Sequence, residues 1–321
     1  MFGASCWFRD TRGLAAAWDV QRGGELNLIE MSQLIDRRWP IVAVENTPEA
    51  TIVFGATLPT AQSSIVVGGE RLGIRTDLLR VALRTVQIPM SGRGVNTLNV
   101  AAAAAVALYY LLSGGRLAPR QAKRPDERRP ALLLWRPTDH VEVGSAIRSA
   151  AAFGWRTIGL EDPKRVWFGA RRGVIAEGRA AARAHRNLTR VLPMTTGGKS
   201  GFRRVVVAGA RIDGPPIHSV DLARRDTLLV IPDEGNGQAP NFNGLDSPVE
   251  PAQVHLTVPA FPYRFRLIST IIIAEAARQI GFRPLGQPRL RARRGLTYES
   301  ALSMVAPGPA DEIDAAALML Y

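Results

Sequence analysis

Three short stretches carry residue types and spacings that could do chemistry. The first, Val143-Gly-Ser-Ala-Ile-Arg148-Ser-Ala-Ala-Ala-Phe153-Gly154, opens a helix after an apolar strand and sets one arginine among small residues. The second, Val66-Val-Gly-Gly-Glu70-Arg-Leu-Gly73, is a strand end that runs into a glycine-rich turn. Glycines at such a turn permit positive φ and let the backbone approach a ligand closely. The third, Ile88-Pro-Met-Ser-Gly-Arg-Gly-Val-Asn-Thr97-Leu-Asn99, is a strand end and a loop leading into an alanine-rich helix. Each has a plainer explanation: helix packing around Arg148, an ordinary turn at Gly68 and Gly69, and Thr97 as the N-cap of the alanine helix.

The whole chain has 321 residues, with 41 Lys plus Arg against 28 Asp plus Glu and a net charge of +13. Only Lys123, Lys164 and Lys199 are lysines, so the excess is arginine. A planar guanidinium suits phosphate, and a pI near 11.0 suggests a polyanionic partner. A genome that favours arginine codons would give the same bias. A single cysteine, Cys6, excludes an internal disulfide framework and a Cys-rich zinc site. The histidines (His140, His185, His218, His255) are too scattered for a recognisable metal motif, so no metal is expected. Arg9 and Asp10 interrupt the start of the chain before a signal-peptide core can form. The longest apolar run, Val100 to Leu112, has 13 residues and is too short to span a bilayer. These features predict a soluble cytoplasmic protein that meets nucleic acid and no membrane.

Composition divides the chain. Residues 113–130 are basic and rich in Gly and Pro and read as a linker, and a tail begins at about residue 284. Two units remain, 1–112 and 131–283. They share a repeat: Ile41 to Gly73 and Val205 to Gly237 have the same length and order. Each runs from a β-branched strand through a polar stretch to a second apolar strand, then Glu and Gly three apart (Glu70 with Gly73, Glu234 with Gly237). An apolar-proline pair follows, Ile88-Pro89 and Val258-Pro259, and then a small-residue helix near 98–112 or 267–280. The second unit has an additional strand (ALLLW), helix and strand (RTIGL) in front of its copy, which the first unit lacks. Strands alternating with helices predict an α/β fold with largely parallel sheets in both units.

Together the three stretches resemble the signature of the SPOUT superfamily, specifically its TrmH-like (SpoU) RNA ribose 2′-O-methyltransferases. VEVGSAIRSAAAFG resembles the first family motif, GGERLG the second and IPMSGRGVNTLNV the third. The resemblance implies two SPOUT-type α/β domains with a C-terminal trefoil knot, a rare exception to unknotted topology. It also implies an S-adenosylmethionine cofactor and an RNA substrate, tRNA or rRNA. Family members are homodimers in which one subunit's knotted region holds the cofactor and the partner supplies the first-motif arginine. Here the good second and third motifs lie in the first unit and the good first motif in the second. The resemblance therefore implies a tandem pseudodimer, monomeric, with one composite site per chain.

By that resemblance Val44, Gly68, Gly69, Ile88, Met90 and Leu98 line the cofactor pocket. Arg148, Glu70, Thr97 and Asn99 make up the catalytic set. An arginine is a poor base, so Arg148 is assigned phosphate binding and stabilisation of a developing alkoxide. Glu142 stands where the family has Asn, six residues before Arg148. It could pair with Arg148, act as general base or mark lost activity. The third motif has one extra residue between Gly92 and Thr97, and in the second unit the Ser and Asn positions fall on Arg266 and Ile268, or, shifted by one residue, the Asn position falls on Ser269. Candidate RNA contacts are Arg120, Lys123, Arg124, Arg128 and Arg129, then Arg171 and Arg172, the loop 197–204, and Arg289 to Arg294. The alternative function is a catalytically inactive SPOUT-fold RNA-binding protein. A third, less supported by the IPM…LNV motif, is methylation of a base nitrogen or a protein side chain.

Overall fold

The computed structural model describes residues 31–69, 73–90, 97–112, 117–118, 120, 125–169, 176–182, 189–194, 201–234, 248–256 and 264–282. Four strands form the first sheet: β1 (Ile41–Val44), β2 (Thr51–Ile52), β3 (Ser64–Val67) and β4 (Arg84–Gln87). Their order is β2-β4-β1-β3, and every pairing is parallel. All four residues of β1 (Ile-Val-Ala-Val) are buried, as expected of a central strand covered on both faces. The helices of this half are α1 (Met31–Asp36), α2 (Thr76–Val81) and α3 (Val100–Leu112).

Six strands form the second sheet: β5 (Ala131–Trp135), β6 (Thr157–Glu161), β7 (Arg190–Pro193), β8 (Arg204–Gly209), β9 (Thr227–Pro232) and β10 (Val249–Gln253). They are again all parallel, in the order β10-β8-β9-β5-β6-β7. Helices α4 (His140–Ala152), α5 (Ala176–Ala181) and α6 (Phe265–Ile280) complete this half. ALLLW and RTIGL form β5 and β6 as predicted, and α4 starts earlier than its glycine because Asp139 caps it.

The strand register matches the repeat residue for residue. Ile41 faces Ser64 in the first sheet, and their repeat counterparts Val205 and Leu228 face each other in the second. Ile52 faces Gln87, and Pro216 faces Gln253 in an isolated bridge. The same short turn follows each, Val53–Gly55 and Ile217–Ser219. Further along, Val42 faces Arg84 while Val206 faces Glu250, so the second copy is slightly longer before its last strand. That register places the counterpart of Ile88 at Val254, and not at the Val258-Pro259 pair that the sequence pattern favours. Among the described residues, β5, β6, β7 and α4 have no partner elements in the first half, and β3 is an edge strand where β9 pairs with β5.

One apolar core lies between the two sheets. It joins Val42, Val44 and Val86 from the first to Leu132, Leu134, Val206, Leu229 and Ile231 from the second, through α3, α4 and α6. Alanines dominate α3, so its backbone can approach α6 closely. The contact also contains a buried charge: Glu275 of α6 has 0% exposure. Its carboxylate accepts from the Tyr110 hydroxyl (2.7 Å), from Arg278 Nε and Nη2 (2.9 and 2.6 Å) and from Gln279 Nε2 (2.8 Å). Arg278 also donates to the Ala118 carbonyl (2.9 Å), and Phe282 N–H donates to the Arg120 carbonyl (3.0 Å). The segment that composition marks as a linker is thus bonded to α6 at these points.

Removing one partner of such a network leaves the other charge buried and uncompensated. Glu275→Gln is expected to cost about 3–5 kcal/mol in urea unfolding, and Tyr110→Phe about 1–3 kcal/mol. Equal stability of wild type and Glu275→Gln would show that the network does not hold the halves together.

Candidate active site

Parallel strands bring the ends of β1, β3 and β4 side by side, and the residues that follow them form one wall. Val44 is opposite both Val67 and Val86, so Gly68 and Ile88 emerge next to it. Val44, Ile88 and Leu98 are buried in the common core and Met90 packs against it. A Cβ on Gly68 would fall on the backbone of Gly73, which explains glycine at that position. A Cβ on Gly69 would meet nothing within 4 Å among the described residues, so none of these closes that side of the turn. Gly69 and Gly73 exchange two backbone hydrogen bonds (3.2 and 3.0 Å), and Gly73 has a φ of 67°.

Glu45, which the sequence reading missed, fixes this turn from below. Its carboxylate accepts the N–H of Ile74 (2.9 Å) and of Asn46 (3.0 Å), and a Cβ on Gly73 would sit 2.5 Å from Glu45 Oε2. Its signal was an acidic residue directly after a fully apolar strand. Glu70 lies outside the described residues.

The third motif divides its polar residues between two tasks. Asn99 caps α3: its Oδ1 accepts the Ala101 N–H (2.9 Å) and its carbonyl accepts that of Ala103 (2.8 Å). Of the two caps that the sequence offers, Thr97 and Asn99, it is Asn99 that serves. Thr97 instead meets Arg148 from the other half of the chain. Arg148 Nη2 donates to Thr97 Oγ1 (3.0 Å) and to the Leu98 carbonyl (3.2 Å), and Nε donates to the Thr97 carbonyl (3.2 Å). Fork geometry makes this a fixed contact, and Arg148 is only half-buried.

Glu142 is engaged elsewhere. It is 6% exposed, accepts the Arg266 N–H (2.8 Å) and lies 3.5 Å from Arg266 Nε. Six residues along an α-helix turn a side chain about 120° away from the first, so Glu142 and Arg148 face different sides of α4. Its carboxylate braces the start of α6. Burial pushes its pKa up, offset in part by the Arg266 N–H and the charges of Arg266 and Arg264. In the second half Glu234 turns back onto β8, accepting from the N–H groups of Ala210 (2.9 Å) and Arg211 (2.7 Å). Its carboxylate fills the space beside Gly209, and burial raises its pKa as well.

Residues 22–109 match the model of the SpoU rRNA Methylase family. The matched segment contains Val44, Gly68, Gly69, Ile88, Met90, Thr97, Leu98 and Asn99, whereas Arg148 and Glu142 come from beyond it. No curated protein matches the chain in sequence. Among solved structures it is similar to the SpoU methyltransferase AviRb from Streptomyces viridochromogenes in complex with the cofactor AdoMet. That likeness has 19% identity and a TM-score of 0.39, over 66% of this chain and 81% of that one. An RNA 2′-O ribose methyltransferase gives 14% identity and a TM-score of 0.38 over 64% and 78%. A structure concerning 2-OH methylation of C/U34 on tRNA gives 19% and 0.38 over 48% and 91%.

The raised carboxyl of Glu142 has a readable sign. Its contribution to stability is full at low pH and is lost as pH rises through the raised folded value. Glu142→Gln keeps an acceptor for the Arg266 N–H but never ionises. Its stability relative to wild type should therefore grow as pH rises from the usual carboxylate range. Urea unfolding over a pH series checks this, and a relative stability that falls with pH would contradict it.

Proposed function

We propose that the chain is an S-adenosylmethionine-dependent RNA methyltransferase that methylates a ribose 2′-hydroxyl of tRNA or rRNA. The observation that carries this is the Arg148 fork on Thr97 and Leu98, which joins the first-motif arginine to the third motif across the halves. The proposal includes one composite site per chain, an intrachain pseudodimer and a trefoil knot; residues 70–72 and 91–96 of the second and third motifs lie outside the described residues.

The chain fits the cofactor on two points. Gly69 lies on a side of the pinned turn that no described residue closes, and Val44, Ile88 and Leu98 give an apolar wall next to it. Gly68, Gly69 and Met90 would hold S-adenosylmethionine largely by backbone. When bound, the sulfonium supplies an activated methyl group, so the ribose hydroxyl must be oriented and give up its proton. Arg148 is always charged and cannot take that proton. It holds an anionic substrate oxygen and lowers the cost of the developing alkoxide. Glu142, tied to Arg266, supports α6 and acts on the site through helix placement. Asn99 sets the axis of α3 and with it the position of Thr97. The proposed setting is cytoplasmic, and among the described residues no helix is long and apolar enough to cross a membrane.

The second reading, a catalytically inactive RNA-binding scaffold, is favoured by Glu142 being committed to Arg266 at the family's Asn position. Transfer of labelled methyl to total tRNA and rRNA separates the two. The methyltransferase reading expects transfer by wild type and a fall of about 10²–10³-fold in Arg148→Ala. It also expects one S-adenosylmethionine per chain in calorimetry. No transfer, or unchanged transfer by Arg148→Ala, refutes it; two cofactors per chain refute the single composite site.

A further inference from the structure

The edge of the second sheet where its strands begin carries a row of arginines that the proposed site does not use. Because the sheet is wholly parallel, Val205, Leu228, Ala131, Thr157 and Arg190 lie level across β8, β9, β5, β6 and β7. Just before or at that level stand Arg203 and Arg204, Arg224 and Arg225, Arg128 and Arg129, Arg156, and Arg190. Five strands at about 4.8 Å spacing give a row roughly 19 Å long.

Two of these cations have carboxylate partners. Arg204 pairs with Glu250, and Arg224 with Asp226 at 2.9 Å, a carboxylate that also feels Arg203. Arg129 is held in place: Nη1 donates to the Phe153 carbonyl (2.9 Å), and its guanidinium lies 4.5 Å over the Trp155 ring. Arg156, Arg190 and Arg225 are exposed and have no hydrogen-bond or ion-pair partner for their side chains among the described residues. Arg129, Arg156 and Arg225 rim a cleft of about 640 Å³ whose floor includes Gly159, Met194 and Phe202.

Like charges aligned at this spacing repel one another, and no fold requirement places arginine before every strand. A linear polyanion relieves that repulsion and matches the planar donor forks. We propose that this edge docks the sugar-phosphate backbone of RNA, at a surface separate from the Arg148 site. The choice of RNA as the polyanion rests on the methyltransferase reading; the surface itself rests on the arginine row.

The test uses the full chain, unfractionated tRNA as probe and fluorescence anisotropy over a salt series. Arg156→Gln/Arg225→Gln is compared with Arg38→Gln/Arg80→Gln, which removes the same charge from exposed positions of the first half. The edge variant should bind tRNA at least about tenfold more weakly, with the slope of log K against log salt reduced by about 1.5. The control should change less than about twofold. Circular dichroism and urea unfolding establish that both variants keep the fold. Equal weakening of both variants, or none in either, overturns the proposal, as does loss of binding to phosphatidylserine vesicles with tRNA binding intact. Failure of the two readings is distinguishable. If wild type transfers no methyl but the edge variant alone loses tRNA, the docking edge stands and the enzymatic reading falls. If wild type transfers methyl and the edge variant binds tRNA normally, the reverse holds.

Discussion

A carboxylate with no exposed surface is the constraint on which the arrangement of the two halves depends. Burying Glu275 is costly unless both oxygens are satisfied, and four donors from Tyr110, Arg278 and Gln279 satisfy them. One of those donors belongs to α3 and the others to α6. Sliding one helix along the other by a single turn would strip the Tyr110 hydroxyl from Glu275, leaving that hydroxyl buried without its partner and the carboxylate one donor short. Apolar packing alone would be less exacting here, because a helix made largely of alanine offers little side-chain relief to fix its register. Tyr110 also packs edge-on against Phe54 (4.6 Å), which stacks on Phe282 (5.5 Å), so the same residue locks apolar and polar contacts together.

That register reaches the other end of α3. The helix between Asn99 and Tyr110 is continuous, and a rise of 1.5 Å per residue over about three turns places the two roughly 16 Å apart. Fixing α3 on α6 therefore fixes the N-terminal end where Thr97 meets Arg148. Arg148 is positioned from its own side by α4, which is bonded to α6 through Ser149 and Thr270 (2.7 Å) and through Glu142 and Arg266. The long reach of an arginine side chain across the halves thus ends on two carbonyls and a hydroxyl whose places depend on α6.

Much of this was legible in the sequence, and what was missed has physical reasons. Strands β5 and β6 were readable because continuous apolar runs in a parallel sheet leave little ambiguity. The repeat whose strand register matches in the two sheets was readable because glycine and acid positions at the ends of β3 and β9 recur at the same spacing. The Ile88 counterpart was misplaced because a proline pair is a weaker marker than strand register, and a small insertion shifts it. Thr97 and Asn99 are both good caps, and only three-dimensional placement decides that Asn99 serves and Thr97 is left for Arg148. The partner of Glu142 was also hidden: spacing along a helix tells which face a residue occupies, but Arg266 arrives from a segment more than a hundred residues later. Glu45 and Glu275 went unremarked because single acids next to apolar runs are common, and burial is what makes these two consequential.

The two halves are unequal in a way that bears on how many sites the chain can have. An arginine like Arg148 needs a helix behind a strand like β5, and the first sheet ends at β3 where the second continues through β5, β6 and β7. The described part of the first half thus has no element from which to send an arginine toward the start of α6. At that start Arg266 is itself turned to Glu142. After β9, Glu234 folds onto the amides that follow β8, whereas in the first half a Cβ on Gly69 would meet nothing within 4 Å among the described residues. Burial holds Glu234 against its own ionisation, so the amides of Ala210 and Arg211 are what make its inward position tolerable. The described residues thus place the Gly69–Gly73 turn and the arginine fork in different halves, the turn after β3 and Arg148 on α4.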